Sequence, residues 1–338
     1  MTMNQQIHLV SRPAPEAVVE NFRRIETELP ELLDGQVLVR HQFLSLDPYM
    51  RGRMNDAKSY ATPQPLNAVM QGGTVGEVVA SRNERYPIGT PVVGFGGWQQ
   101  YSVVDANAPG SLRKVDTTQI PLSAYLGVVG MPGVTAYYGL TQICKPVEGK
   151  TIVVSAASGA VGATVGQLAK ARGCRAVGIA GGAEKCSYVV DELGFDACVD
   201  YKAHATPEAL YAALKAVTPN GVDGAFENVG GAVFDAVLGR MNAFGRIAVC
   251  GMISGYDGEP IPMRYPQLIL QSRLTIEGFI VSEHPEIWPE ALKEIGTMVA
   301  NGTMKYRESV ALGLASAPEA FLGLLKGKNF GKQVVKLV

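Results

Sequence analysis

Ala157, Gly159 and Gly162, in SAASGAVGATVGQLAK, stand at the spacing that cradles the pyrophosphate of a dinucleotide. The middle glycine lets the backbone approach the phosphates, and the last lets a helix pack close to the preceding strand. Alanine at the first position requires only that the turn avoid positive φ there. The amides at the start of the helix, Ala160 and Val161 among them, face the phosphates with the positive end of the helix dipole. The next strand, CRAVGIA, ends in Gly181-Gly182-Ala183 rather than in the carboxylate that would bind the ribose hydroxyls of NAD. Lys185 follows at once and supplies a point charge for a 2′-phosphate. Tyr201, in VDYK, offers a hydroxyl to the same group. These residues point to NADP(H).

Such a turn needs a strand before it and a helix after it inside a βαβ unit. From Thr151 the sequence supplies them in alternation: TIVVSA, GAVGATVGQLAKARG, CRAVGIA, AEKCSYVVDELG, ACVDY, TPEALYAALKAV, GVDGAFENV, GGAVFDAVLGRM, GRIAVCG and LTIEGFI. The strands are continuous apolar runs, as expected when helices cover both faces of a parallel sheet. Residues 121–143 read as helical. The first third reads as all-β, with DGQVLVRHQFLSLD, GGTVGEVVAS and PVVGFGGWQQYSVVD separated by Gly, Pro and Asn clusters, a pattern that suggests a small, partly open barrel. The tail, MKYRESVAL, APEAFLGLLKG and KQVVKLV, reads as a return to β structure that rejoins the first domain. The fold class is therefore α/β, with domains expected at 1–125 plus 303–338 and at 126–302.

The 338 residues suffice for two cores. A net charge of −1 gives no basic surface for nucleic acid, and no apolar run reaches membrane-spanning length. The N-terminus lacks the layout of a secretion signal, so a cytoplasmic location is expected. Five scattered cysteines, none in CxxC spacing, argue against a disulfide framework or a zinc lobe and read as small core residues.

Seven segments in order, LSLDPYMRGRM, VGMPGVTAYYGL, SAASGAVGATVGQLAK, GGAEK, FENVGG, VCGMIS and KGKNFGKQVVK, resemble the medium-chain dehydrogenase/reductase superfamily over essentially the whole chain. Within it they are similar to the zinc-free branch of prostaglandin reductase, leukotriene B4 12-hydroxydehydrogenase, plant alkenal double-bond reductases and bacterial curcumin reductase. The resemblance implies a GroES-like barrel domain, a Rossmann domain, an active site in the cleft between them, and a homodimer. It implies NADPH-dependent reduction of the C=C bond of α,β-unsaturated aldehydes or ketones. Lys185 and Tyr201 would hold the 2′-phosphate. Met131 and Thr135 would line the pocket near the nicotinamide, with Asn228, Gly251 and Ser254 along the same half. Asn329 would reach the cofactor from the tail.

In that reaction hydride goes to the β-carbon and charge builds on the carbonyl oxygen, where a preorganised donor helps most. The cysteine and Gly-His-Glu ligands of zinc-dependent relatives are replaced by FLSLDPYM and MQGGTVGEV. The four histidines, His8, His41, His204 and His284, lack ligand spacing, so no metal is expected. Tyr256, Tyr60 and Tyr49 are then the candidate donors, with Tyr60 and Tyr256 the pair suggested by resemblance, and the cofactor's ribose 2′-hydroxyl is the alternative to them. Arg51 and Arg53 read as loop-shaping partners of Asp47 or Asp56. Two other readings stand beside this one: a quinone oxidoreductase of the same superfamily, and a non-catalytic NADPH sensor.

Overall fold

A computed structural model describes residues 3–258 and 261–338. The chain divides into two compact units, Met1–Gly127 with Glu308–Val338, and Val128–Arg307.

In the first unit β1 (Met3–Leu9) and β2 (Phe22–Glu28) form an antiparallel pair, and β1 also pairs β4 (Ala68–Val69). Between them come β3 (Gln36–Ser45) and the single-turn helix α1 (Tyr49–Arg53). β5 (Thr74–Ser81), β6 (Pro91–Gly94), β7 (Tyr101–Asp105) and β8 (Leu112–Lys114) follow. The long strand β3 pairs both β5 and β7, and its register with β5 shifts twice, near Leu38 and near His41. Such bulges bend a strand and increase its twist, the local device by which a sheet curls.

The second unit opens with α2 (Met131–Tyr138) and continues with β9 (Thr151–Ser155), α3 (Ala160–Ala171), β10 (Arg175–Ala180), α4 (Ala183–Ser187), β11 (Ala197–Asp200), α5 (Pro207–Val217), β12 (Val222–Glu227), α6 (Gly231–Leu238), β13 (Met241–Val249), α7 (Gln267–Gln271), β14 (Thr275–Gly278) and α8 (Trp288–Ala300). The strands lie in the order β11-β10-β9-β12-β13-β14 and all pair in parallel. This is the doubly wound Rossmann order, and it reverses between β9 and β12, where a crevice opens at the carboxyl ends of the strands. Val153, Val177, Ile179, Ala225 and Ile247 from the strands meet Leu210, Leu214, Phe234 and Val237 from α5 and α6 in one buried cluster. Every residue of β9 is buried, which is why it reads as an unbroken apolar run.

The tail returns to the first unit as β15 (Glu308–Leu312), α9 (Ala317–Leu325) and β16 (Lys332–Lys336). β16 pairs β15 in parallel and β3 antiparallel, completing a seven-stranded sheet whose path runs open from β15 to β8. APEAFLGLL forms a helix, not the strand expected from sequence. Pro318 sits in its first turn, where no amide is needed, and Phe321 and Leu324 fall on one buried face. Phe321 meets Trp98 edge-on at 5.6 Å, and Trp98 stacks on Phe22 at 5.4 Å. Met50, Met54 and Met70 fill the same core.

Candidate active site

The turn after β9 is built around a strained alanine and a necessary glycine. Ala156, not Ala157, takes the left-handed conformation, at φ +49°. Ala157 instead donates its N–H to Ile179 O at 3.0 Å, which ties the turn to the end of β10. A Cβ on Gly162 would stand 2.4 Å from Ala156 O, so only glycine allows α3 this close to the strand. A Cβ on Gly159 would meet only that carbonyl oxygen, at 3.2 Å, so its outer face is open. Gly159 is the extended N-cap of α3 and brings no side chain to cap it. The amides of Ala160, Val161 and Gly162 therefore have no acceptor within the helix. An open glycine face beside three outward donors fits a pyrophosphate.

At the carboxyl end of β10 the polar groups converge on Gly181. A Cβ there would stand 2.8 Å from Tyr201 Cε1 and 3.0 Å from Lys202 Cε, so both side chains lie against this glycine. Lys185, from α4, belongs to the same group. Its ammonium is held below the ordinary lysine range by partial burial and by the neighbouring Lys202 charge. Lys202 was not singled out from sequence. Its signal was the K of VDYK, but only the parallel pairing of β10 with β11 brings it to Lys185. The tip of β10 carries no acid, yet Asp200 at the tip of β11 faces the same loop. Its Oδ1 accepts the N–H of Gly182 at 2.7 Å and of Lys202 at 3.0 Å, so that oxygen is committed to holding the loop.

The ends of β9, β12 and β13 are bound to one another. Asn228 donates its backbone N–H to Ser155 Oγ and its Nδ2 to Ser155 O, both at 2.8 Å. Its carbonyl accepts from Ile253 at 3.1 Å. Ser254 donates from N and from Oγ to Val229 O, at 3.0 and 2.6 Å. Gly251 donates to Glu227 O at 3.2 Å. Glu227 was not foreseen: it is fully buried, and its Oε1 accepts the N–H groups of Val229 and Gly230 at 2.7 Å each. Burial pushes its carboxyl above the ordinary range, against the pull of those amides. A lone acid closing an apolar strand, in GAFENVGG, was the available signal.

Tyr256 follows this strand end, and its hydroxyl accepts the Met252 N–H at 3.4 Å, over Gly251. Met131 and Thr135 are joined within α2, where Thr135 Oγ1 donates to Met131 O at 2.8 Å. The structure thus places the 157–162 turn, Asn228, Gly251 and Ser254 at the carboxyl ends of β9, β12 and β13, each bonded to those strand ends or to β10, and gathers Gly181, Lys185 and Tyr201 with Lys202.

In the other unit, Tyr49 and Tyr60 are close enough to interact electrostatically. Tyr49 is half-buried, with the Arg53 guanidinium 4.6 Å above its ring, while Tyr60 is 55% exposed. Burial, then the charge of Asp47, pushes the Tyr49 hydroxyl well above its usual range. Asn329 donates to Gly331 O at 2.7 Å within its own loop. The cation on Asp47 is Lys332, 2.7 Å from its Oδ1, whereas Arg51 reaches Asn55 and the Pro15 carbonyl and Arg53 reaches Gln71.

His41 is a core residue, bonded to Ser102 Oγ at 2.9 Å, and His284 stacks on Tyr138 at 4.1 Å. Among the described residues, no three His, Cys, Asp or Glu side chains converge as a metal site. Cys144 and Cys174 are buried as small core residues, but Cys186, Cys198 and Cys250 are only partly so.

Two family models match the chain: an N-terminal domain of oxidoreductase over residues 5–112, and a zinc-binding dehydrogenase over residues 160–297. The chain is 47% identical to NADPH-dependent curcumin reductase of Escherichia coli, covering 99% of this chain and 97% of that one. It is 43% identical to prostaglandin reductase 1 of Rattus norvegicus, covering 94% of each. It is 42% identical to the NADP(+)-dependent 2-alkenal reductase of Nicotiana tabacum, covering 92% and 90%. The solved structure of CurA from Vibrio vulnificus in complex with NADPH superposes over 99% of both chains, with a TM-score of 0.92 and 44% identity.

Proposed function

The chain belongs to the medium-chain dehydrogenase/reductase superfamily, in the branch of curcumin, prostaglandin and 2-alkenal reductases, and on that premise we propose that it reduces the C=C bond of α,β-unsaturated aldehydes and ketones with NADPH. The observation that carries the cofactor is Lys202 lying against Gly181 beside Tyr201, with Lys185 close enough to feel its charge. Two ammonium groups close enough for one to lower the other's pKa favour a dianionic ligand, and a 2′-phosphate is one. The substrate class rests on the relatives, which at 42–47% identity are named for the reduction of curcumin, prostaglandins and 2-alkenals.

The open face of Gly159 and the amides of Ala160 and Val161 take the pyrophosphate. Lys185, Lys202 and Tyr201 take the 2′-phosphate, with Gly181 as the floor. Asn228, Gly251 and Ser254 hold the nicotinamide half, with Met131, Thr135 and Asn329 as further contacts. When bound, the dinucleotide supplies the hydride that the β-carbon of the substrate receives. Charge then builds on the carbonyl oxygen, and a tyrosine hydroxyl donates to it. Tyr256 and Tyr60 are assigned that role, with Tyr49 as the third candidate. A hydroxyl with a raised pKa, as at Tyr49, stays protonated at neutral pH and remains a donor.

The test is NADPH oxidation with 4-hydroxynonenal or a simple enone against a benzoquinone, with NADH as control. Faster turnover of the benzoquinone would establish the quinone reading, and no turnover of any acceptor with intact NADPH binding the sensor reading. A preference for NADH would remove the cofactor assignment. A homodimer in the cytoplasm accompanies this reading, and sedimentation and cell fractionation check it; no helix among the described residues is long and apolar enough to cross a membrane.

A further inference from the structure

Two cysteines twelve positions apart meet on the segments that carry the lysine pair. Cys198 lies in β11, in register with Gly178 of β10. Its sulfur occupies the hollow left by the missing side chain of Gly178, where a Cβ would stand 3.2 Å from Sγ. Cys186 meets it from α4, and the two sulfurs are 3.2 Å apart, as free thiols. A disulfide bond is about 2.05 Å long, so the sulfurs need to close by roughly 1 Å. Both thiols are partly exposed and within reach of a small oxidant, unlike Cys144 and Cys174. Cys250, the third partly exposed thiol, has the buried Glu227 carboxylate beside it.

The neighbours of this pair are the cations of the site. Cys186 follows Lys185 in a five-residue helix, and Cys198 is four positions before Lys202. We propose that Cys186 and Cys198 form a reversible redox pair whose disulfide weakens NADPH binding, an inference that rests on the cofactor reading above. Closure draws α4 towards β11. That shifts Lys185 relative to Lys202, and the two ammonium groups no longer converge on one phosphate.

With hydrogen peroxide as oxidant, the Cys186 thiolate attacks one peroxide oxygen. The O–O bond breaks, hydroxide leaves and is protonated to water, and Cys186 becomes a sulfenic acid. The Cys198 sulfur then attacks the Cys186 sulfur, the S–O bond breaks, and a second water departs with the Cys198 proton. Two thiols have lost two electrons and two protons, and the peroxide has become two waters. A dithiol reductant reverses the bond by exchange. Burial holds both thiols protonated at neutral pH, Cys198 the more strongly, so oxidation is slow there and accelerates as pH rises.

The experiment treats the purified full chain with hydrogen peroxide, blocks remaining thiols, and maps peptides by mass spectrometry. NADPH and NADH dissociation constants are measured before oxidation, after it, and after dithiothreitol. A Cys186–Cys198 linked peptide is expected, with the NADPH dissociation constant raised about fivefold, restored by reduction, and NADH binding unchanged. The C186S variant shows no shift, and C198S accumulates a Cys186 sulfenic acid that dimedone traps. Absence of the linked peptide overturns the pair, and a linked peptide with unchanged NADPH affinity overturns its coupling to the site. The peptide is read without any nucleotide. A reduced protein that forms it yet binds NADPH no better than NADH therefore overturns the cofactor reading, and the coupling with it.

Discussion

Asn228 clamps the crevice of the nucleotide-binding sheet by donating its Nδ2 to Ser155 O at 2.8 Å. Ser155 ends β9 and Asn228 follows β12, the two strands between which the order reverses. Its backbone N–H bonds Ser155 Oγ as well, so one residue holds both sides of the switch point. Asn228→Ala leaves the buried Ser155 carbonyl without that donor. We expect a stability loss of about 1–2 kcal/mol, read by denaturant titration, and weaker NADPH binding with little change in secondary structure. Unchanged NADPH affinity would mean that Asn228 braces the sheet only.

The lysine pair gives the sharpest test of cofactor selection. Lys202→Ala and Lys185→Ala each remove one of two charges facing the same region, and each should raise the NADPH dissociation constant about tenfold. NADH binding should not move, because it brings no 2′-phosphate. Gly181→Ala should act in the same direction, since the added carbon lies 2.8 Å from the Tyr201 ring and displaces it. Equal losses for both nucleotides in these variants would show that they distort the loop instead of removing phosphate ligands.

The parts of this molecule that were legible in its sequence are those set by local pattern. The sheet of the second unit announced itself because strands covered on both faces are unbroken apolar runs, each followed by small or charged residues that start a helix. The turn at 157–162 could be placed because its strand and helix are contiguous with it. The missed features depend on chain segments that only the fold brings together. Lys202 reaches Lys185 across two strands. Asp47 finds its cation 285 residues away, at Lys332, where the sequence offered nearby arginines. The cysteine pair was hidden because a spacing of twelve follows no motif, and the gap that admits Cys198 comes from Gly178 on a third segment. APEAFLGLL is apolar enough to pass for a strand, and it stands between the two genuine strands of the tail, but its buried residues repeat at the helical period.

Asp47 and Lys332 form an ion pair in which both side chains are less than 10% exposed. Lys332 Nζ also donates to Leu46 O at 2.7 Å, and Ser45 Oγ donates to the other Asp47 oxygen. Removing one partner from such a pair leaves an uncompensated buried charge. Lys332→Met should therefore cost about 3–5 kcal/mol, measured by chemical denaturation of the full chain. Combining it with Asp47→Leu should recover a large share of that loss. A single variant within 1 kcal/mol of the parent, a range typical of exposed pairs, would place the pair in solvent.

His41 sets an acid limit on the first unit. It is 2% exposed, bonds Ser102 Oγ, and fills the space beside Gly96, where an added Cβ would lie 2.2 Å from Nε2. Burial holds its pKa down at about 3, against an ordinary value of 6.5. The unfolded chain therefore binds a proton here that the folded chain refuses between those two values. The stabilisation is fully present above pH 6.5 and is lost as pH falls towards 3, by up to roughly 5 kcal/mol. Glu227 and Glu308, whose carboxyls burial raises, act with the opposite sign as pH increases, so the total curve mixes these groups. The difference between the parent and His41→Gln isolates the imidazole. That difference should shrink steadily from pH 7 to pH 4, because only the parent has a proton to exclude. A difference independent of pH would show that His41 takes up its proton in the folded state at no cost.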